Sequence, residues 1–251
     1  MSKVYLVNVV ANRGHASIAR CPIFENDTFI FVPFPHPGTH GRRACAKRAQ
    51  PFLRGVDPRE VHDDPDWEAL TYGDNCANPR ALALKRVQPN DILLFWALLW
   101  RNRGSDWSGF SGEHGWYLIG ALRVREILDA GQRAADAAMA NRARAARSVH
   151  FASGEPLAAD NRVFIGSRRY SKLFPKAVDF QVTQGSGLIY RTLRTAGGHR
   201  LNRLGKRSWF TATRACRAIW DLDKPEERKR AQIAATAIRD YTGYDLLDQM
   251  A

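Results

Sequence analysis

Histidine and aspartate residues at alternate positions form the pattern with the most chemical potential in this chain. His62, Asp64 and Asp66 follow one another in the segment Val-His-Asp-Asp-Pro-Asp. Imidazole and carboxylate groups this close together can share a divalent cation, or one of them can act as a general base. The same pattern is also typical of a helix start, where Pro65 and acidic side chains face the positive end of the helix dipole. We interpret the three residues as candidate catalytic residues and keep the helix start as the alternative.

A second set of residues has the chemistry to bind the phosphate, sugar or base of a ligand. Guanidinium groups beside a glycine turn can bind phosphate, and so can a basic cluster beside a helix N-terminus. An ordinary surface turn and a solvated basic face are the alternatives. The candidate ligand-binding residues are Arg13, Ser17, Arg20, Tyr72, Asp74, Arg168, Arg169, Ser171 and Lys176.

An aromatic side chain in a polar segment is a further candidate. Trp107 and Phe110 lie within residues 101–115, a polar stretch rich in Gly and Ser where burial is not expected. A base stacked on an aromatic ring contributes about 1–3 kcal/mol. We therefore predict that this stretch covers a ligand site and that Trp107 contacts the ligand. The tryptophans on apolar segments are expected in the core: Trp96, Trp100 and Trp116.

The charges are segregated along the chain, whose formal net charge is +13 at pH 7. Residues 161–217 contain thirteen Lys or Arg and one acid, whereas residues 57–74 contain seven acids and one base. A segment of one sign attracts a polymer of the opposite sign. The sequence therefore predicts a nucleic acid partner, DNA in preference to RNA, or a nucleotide. Compositional drift towards arginine is the alternative, and a membrane partner is not expected because no basic amphipathic helix is evident.

Several functional classes are disfavoured because their motifs are absent. The chain has no phosphate-binding P-loop, dinucleotide fingerprint, zincin motif or hydrolase nucleophile elbow. Its four cysteines are scattered without a CxxC pair, which predicts reduced thiols and no structural zinc. No apolar run reaches the roughly 20 residues that span a bilayer, and no signal peptide is evident. We therefore expect a cytoplasmic protein.

The elements that must position these residues follow from hydrophobic patterning. Residues 4–10 form a β-branched run that predicts the first strand. Residues 92–100 and 116–127 predict a buried hairpin, with Gly120 at a bulge or close approach. Helices are predicted, from composition and from Pro225 in a first turn, at residues 130–147, 170–177 and 223–241.

The predicted hairpin resembles the PUA-like superfamily, which includes the EVE, ASCH and YTH domains. The resemblance rests on NDILLFW at residues 90–96 and WYLIGALRV at residues 116–124. In that superfamily a turn enters a buried strand, and a second strand bends at a glycine. Asn90 stands where the turn glycine is usual. The resemblance implies a small, mostly antiparallel β-barrel or curled sheet with flanking helices and a C-terminal helix.

Most of residues 4–180 resemble a narrower group, the nucleotide modification associated domain 3 family. The resemblance rests on four stretches that occur in the same order. The first is RGHASIARCPIF (13–24) followed by FVPFP (31–35), and the second is VHDDPD (61–66) followed by TYGD (71–74). The third is the hairpin, and the fourth is FIGSRRYSKLF (164–174) with Lys176 and Ala177. It implies a role in DNA base hypermodification or in the recognition of modified nucleotides.

These observations predict one α+β domain over residues 1–251. Its PUA-like core would span about residues 1–180, and a basic, partly helical extension would span about residues 181–251. The expected function is the binding of a nucleic acid or nucleotide through a modified or extruded base. The alternative is an enzyme that modifies a nucleotide or DNA base with His62, Asp64 and Asp66. A third hypothesis is an interaction protein whose basic segment binds an acidic partner. The sequence names no cofactor and no metal ligand.

Overall fold

A computed structural model describes residues 2–9, 15–35, 45–59, 61–79, 81–151, 155–179, 216–246 and 248. The candidate Arg13 and most of the basic part of the chain after residue 179 lie outside these ranges. The strands are β1 (Lys3–Asn8), β2 (Cys21–Ile23), β3 (Phe34–Pro35), β4 (Val61–His62), β5 (Thr71–Asn75), β6 (Ile92–Asn102), β7 (Phe110–Leu128), β8 (Asn161–Gly166), β9 (Lys172–Asp179) and β10 (Cys216–Asp221). The α-helices are α1 (Arg142–Ala145) and α2 (Pro225–Thr242), and short 3-10 helices occur at Lys47–Phe52, Leu82–Arg86, Trp107–Gly109, Ala134–Asp136 and Met139–Asn141.

Eight of these strands form one mixed sheet. Its order is β10-β1-β6-β7-β8-β5, with β2 also paired to β6 and β9 also paired to β7. β1 and β2 run parallel to β6, and the other pairings in the sheet are antiparallel. β3 and β4 form a separate two-stranded ribbon. The α+β class is therefore confirmed. A barrel is not confirmed, because the described strands form an open sheet whose two edge strands do not pair with each other.

The strand β6 is buried on both faces, which explains its uninterrupted apolar sequence. Successive side chains of a strand point to opposite faces, and β6 supplies two separate cores. One core contains Leu93 and Phe95 and includes the 3-10 helix at Lys47–Phe52. The other contains Leu94 and Trp96 and is covered by the alanine-rich face of α2. The sheet is thus a central layer with packed structure on each side.

The predicted hairpin of two apolar strands is confirmed as β6 and β7. The register shifts where Phe95 lies opposite Gly120, so the expected irregularity falls at this glycine. A Cβ atom at Gly120 would lie 2.8 Å from the carbonyl oxygen of Lys172 and 2.4 Å from the ring of Trp67. Asn90, before β6, has a φ of 76°. Asparagine tolerates this left-handed conformation better than most residues, so it can replace a turn glycine there.

Two helix predictions are wrong. Residues 130–147 form two 3-10 turns and the four-residue α1, because side chains bond the backbone in place of a continuous helix. For example, Glu126 accepts hydrogen bonds from the Ala138 N–H and the Asn141 side chain. Residues 170–177 form a turn and most of β9, which pairs with β7. In both segments tertiary contacts override the local helix propensity.

The helix predicted near the end of the sequence is confirmed as α2. Pro225 lies at its first turn, with Glu226 and Glu227 beside it, where acidic groups interact favourably with the helix dipole. The helix ends before Gly243, whose φ of 69° is left-handed. Within the described part of the chain, no helix combines the length and apolar character that crossing a bilayer requires.

Candidate functional site

The predicted His-x-Asp-x-Asp pattern lies in the connection between β4 and β5. His62 is the last residue of β4, opposite Phe34 of β3. Asp66 bridges to Thr71, the first residue of β5, and the residues between them form a tight turn. The acidic residues therefore do not begin a helix, which was the alternative interpretation of this segment.

The carboxylate of Asp64 lies between two imidazoles. Its Oδ2 atom is 3.2 Å from Nε2 of His150 and 3.9 Å from Nε2 of His62. The two imidazole rings meet edge to face, with centroids 5.0 Å apart. We call these three residues the His–Asp–His cluster. Sequence reasoning left His150 unassigned, because it follows Asp64 by 86 residues and only the fold brings the two together.

Gly73 of β5 positions two members of the cluster. Its N–H donates to the carboxylate of Asp64, at 3.0 Å to Oδ1 and 3.3 Å to Oδ2. A Cβ atom at this position would lie only 2.1 Å from Cδ2 of His150. The imidazole therefore rests directly against the strand backbone, in space that only a glycine leaves open.

The electrostatic surroundings favour positive charge at His150. Burial disfavours the charged imidazole, but the hydrogen bond and the charge of Asp64, with a further contribution from Asp74, outweigh burial. The pKa of His150 is therefore raised above its usual value. The cluster is a partly enclosed site of negative potential, since the side chains of Asp64 and His150 are 7% and 13% exposed and that of His62 is 24% exposed.

The other predicted residues of this region are engaged elsewhere. Asp66 is buried and accepts hydrogen bonds from the N–H groups of Glu68 and Ala69. The hydroxyl of Tyr72 donates to Asp74 at 2.9 Å, and both side chains are buried. Asp66 therefore stabilises the turn before β5, and Tyr72 and Asp74 form a polar pair inside the core.

A buried arginine holds the turn before β5 against β8. The guanidinium of Arg144 donates to the carbonyl oxygens of Ala69, Leu70 and Gly166 and to the side chain of Asn141. Burial, followed by repulsion from Arg168 and Arg125, lowers the pKa of Arg144 to about 10. This side chain joins the segment that carries the cluster to the central sheet.

The predicted basic cluster lies around the turn between β8 and β9. Arg168, Arg169 and Lys176 are exposed, whereas Ser171 is buried and accepts a hydrogen bond from the Arg123 N–H. This turn is not a helix N-terminus, which removes the backbone part of the predicted phosphate site. The exposed charges remain available to an anion.

Arg20 and Trp107, two of the predicted ligand-binding residues, contact each other. The guanidinium carbon of Arg20 lies 4.6 Å from the ring centroid of Trp100, 4.8 Å from that of Trp107 and 5.4 Å from that of Phe110. Arg54 approaches Trp107 at 6.0 Å. An antiparallel bridge between Ala19 and Leu53 sets the two arginines side by side.

We call the resulting patch the arginine–aromatic surface; its members are Arg20, Arg54, Trp100, Trp107, Phe110 and His114, which stacks on Trp100. Burial and the neighbouring charge of Arg54 lower the pKa of Arg20. No carboxylate within the described ranges pairs with either arginine. The structure thus unites Arg20 and Trp107, which sequence reasoning assigned to separate segments, and adds Arg54.

The remaining candidate positions belong to neither the His–Asp–His cluster nor the arginine–aromatic surface. Ser17 is exposed on the turn before Arg20. A cavity of about 280 Å³ lies elsewhere and contains none of the predicted site residues; its lining includes Cys76, Lys85, Asp129, Asp160, Asn161 and Arg162. Arg162, within the predicted basic segment, is paired with Asp129.

The molecule is thus an α+β protein whose open mixed sheet carries a His–Asp–His cluster and an arginine–aromatic surface. The sequence model of the family described as nucleotide modification associated domain 3 matches residues 3–236, and the chain belongs to that family. No curated protein and no solved structure matches the chain. The resemblance to this family is thereby confirmed, and its description associates the chain with nucleotide modification.

Proposed function

We propose that the protein binds nucleic acid, DNA in preference to RNA, through a modified or extruded base, and that the arginine–aromatic surface makes the contact. One observation carries the proposal: Arg20 lies against three aromatic rings, Arg54 approaches one of them, Trp107, and neither arginine has a carboxylate partner among the described residues. Two like charges repel each other. A phosphate would relieve that repulsion, and an arginine can bind it in a bidentate manner.

The aromatic part of the surface supplies the second half of the interaction. Trp107 is only partly buried and lies on the 3-10 turn at the tip of the hairpin. The tip is held in place, because Asp106 accepts a hydrogen bond from the Ser108 N–H and Asn102 donates to the Asp106 carbonyl. A half-buried indole held in this way is suited to stack on a base that has left its duplex.

Additional contacts are proposed on the basic cluster. Arg168, Arg169 and Lys176 are exposed and could bind the phosphates of a longer strand. Arg13 and Ser17 remain proposed ligand contacts of the same kind, whereas the buried Ser171 accepts a hydrogen bond from the Arg123 N–H instead.

Fluorescence anisotropy with labelled single-stranded and duplex oligonucleotides tests the proposal. Trp107→Ala should weaken binding about tenfold, because one stacked base contributes about 1–3 kcal/mol. Arg54→Gln should weaken it through loss of a phosphate contact. Arg86→Gln, which removes an exposed arginine from the 3-10 helix Leu82–Arg86, is the matched control and should leave the affinity unchanged.

Equal losses of affinity in Arg54→Gln and Arg86→Gln would contradict the proposal, because they would reveal a general charge effect. So would a Trp107→Ala variant with a lowered melting temperature and normal affinity, since Trp107 would then be a packing residue only.

A modifying enzyme is the second candidate, and the His–Asp–His cluster favours it. His62 and Asp64 would act on a nucleotide or DNA base as acid–base groups, with His150 in the same site and Asp66 holding the adjacent turn. Asp64→Asn should then abolish turnover of a nucleotide substrate while oligonucleotide affinity persists. Retained turnover in that variant would exclude this mechanism.

A further inference from the structure

We propose that His62, Asp64 and His150 bind a first-row transition-metal dication. Each residue offers one ligand atom, and these atoms all lie within 4.8 Å of one another. The site shares no residue with the arginine–aromatic surface. The proposal is therefore independent of nucleic acid binding, and either can fail alone.

The distances suit a metal centre after small side-chain movements. A tetrahedral ion with bonds of about 2.1 Å separates its ligand atoms by about 3.4 Å. The separations from Asp64 Oδ2 to the two imidazole nitrogens are 3.2 Å and 3.9 Å. A bound ion would therefore draw His62 inward, and His62 is the most exposed of the three side chains.

The donor set selects the class of metal. Two imidazoles with one carboxylate suit zinc and iron(II), whereas magnesium and calcium prefer sites built from oxygen atoms. Structural zinc sites usually have four protein ligands, and catalytic sites keep a position open for water or substrate. A three-residue set is thus typical of an ion that keeps at least one exchangeable position.

The surroundings hold the ligands as metal sites require. The Gly73 N–H fixes the carboxylate of Asp64, and the backbone of Gly73 supports the ring of His150. Outer hydrogen bonds of this kind orient the ligands of metal sites. Asp74, whose charge acts on His150, adds to the negative potential that favours a cation.

Cobalt(II) is the probe for the test, because its visible absorption reports ligand geometry. The full-length protein is freed of metal with a chelator and then titrated with Co²⁺. We expect one equivalent to bind, with d–d absorption bands and a raised melting temperature. Zn²⁺ should displace the Co²⁺, and millimolar Mg²⁺ should not.

Four variants locate the ion. His62→Ala, Asp64→Asn and His150→Ala should each weaken Co²⁺ binding by about 100-fold or more, beyond the effect typical of an outer partner. Gly73→Ala keeps all three ligands but displaces the His150 ring, and it should weaken binding as His150→Ala does. His114→Ala, which removes an exposed imidazole, is the control and should bind Co²⁺ normally.

His62→Ala is the decisive variant, because His62 is the most exposed of the three ligands and its removal disturbs the core least. Co²⁺ affinity that survives His62→Ala with an unchanged spectrum would overturn the proposal. Absence of Co²⁺ and Zn²⁺ binding to the folded wild-type protein would overturn it as well.

Discussion

Three of the cysteine side chains illustrate how burial controls chemistry at the scale of the single residue. Cys21, Cys45 and Cys76 are buried and free. Burial is the main cause that raises the pKa of each thiol to about 12. At pH 8 the reactive thiolate would then be about one part in ten thousand of each population. These residues are therefore unsuited to nucleophilic catalysis at neutral pH.

We predict that these thiols react slowly with Ellman's reagent in the native protein at pH 8 and quickly in guanidinium chloride. Unfolding returns each pKa to its ordinary value and exposes the sulfur atom. A Cys216→Ser background restricts the measurement to the three buried thiols. A fast native reaction at pH 8 that disappears in Cys76→Ser would contradict this account.

Single residues also show how much of the site was accessible from the sequence. The spacing of His62 and Asp64 identified two members of the cluster, because local spacing is visible in a sequence. His150 was missed, because its contact with Asp64 depends on the packing of its segment against Gly73. Arg20 and Trp107 were both selected by residue type, but only the structure places them together.

The turn before β5 is the element that depends most on one side chain. Arg144 donates to the carbonyl oxygens of Ala69, Leu70 and Gly166, and of these the Leu70 oxygen also accepts a hydrogen bond from the Gly166 N–H. Leaving a buried carbonyl oxygen without a donor typically costs about 1–3 kcal/mol. The cost is not additive, so we expect Arg144→Met to lower the free energy of unfolding by about 2–4 kcal/mol.

Urea denaturation followed by circular dichroism measures this change. Arg142→Met, two residues away on an exposed position, is the control; it removes a single hydrogen bond, to the Ala137 carbonyl, and should cost no more than about 1 kcal/mol. Similar losses in both variants would show that helix propensity, rather than the bonds of Arg144, determines the effect.

Elements with a complete local signal were predicted, and elements that depend on distant contacts were not. β6 and β7 have long apolar patterns, and α2 has a proline start and a glycine end. Residues 130–147 lack an apolar stripe, so side-chain bonds to their backbone decide the conformation. The sheet order was not predictable, because it joins β1 to β10 across most of the chain.

At the scale of the whole molecule, the net charge of +13 predicts strongly salt-dependent binding of nucleic acid. Affinity for a single strand should fall with a slope of about −0.7 per phosphate contact on a double-logarithmic plot against salt. Replacing the exposed Arg168, Arg169, Lys172 and Lys176 with Gln should reduce the magnitude of that slope by about 3.

The measurement is a salt titration of oligonucleotide affinity from low to physiological ionic strength. The Arg86→Gln variant provides the reference slope. A wild-type affinity that does not change over this range would rule out the polyanion interpretation of the charge segregation.

The place of β1 in the sheet has a consequence for biosynthesis. β1 lies between β6 and β10, and those partners are translated after about 90 and more than 200 further residues. During synthesis, this apolar strand therefore has no hydrogen-bonding partner on either edge until β6 and β10 are translated. Strands with unpaired edges are prone to aggregate. We expect nascent chains of this protein to need a holding chaperone until Cys216–Asp221 has emerged from the exit tunnel.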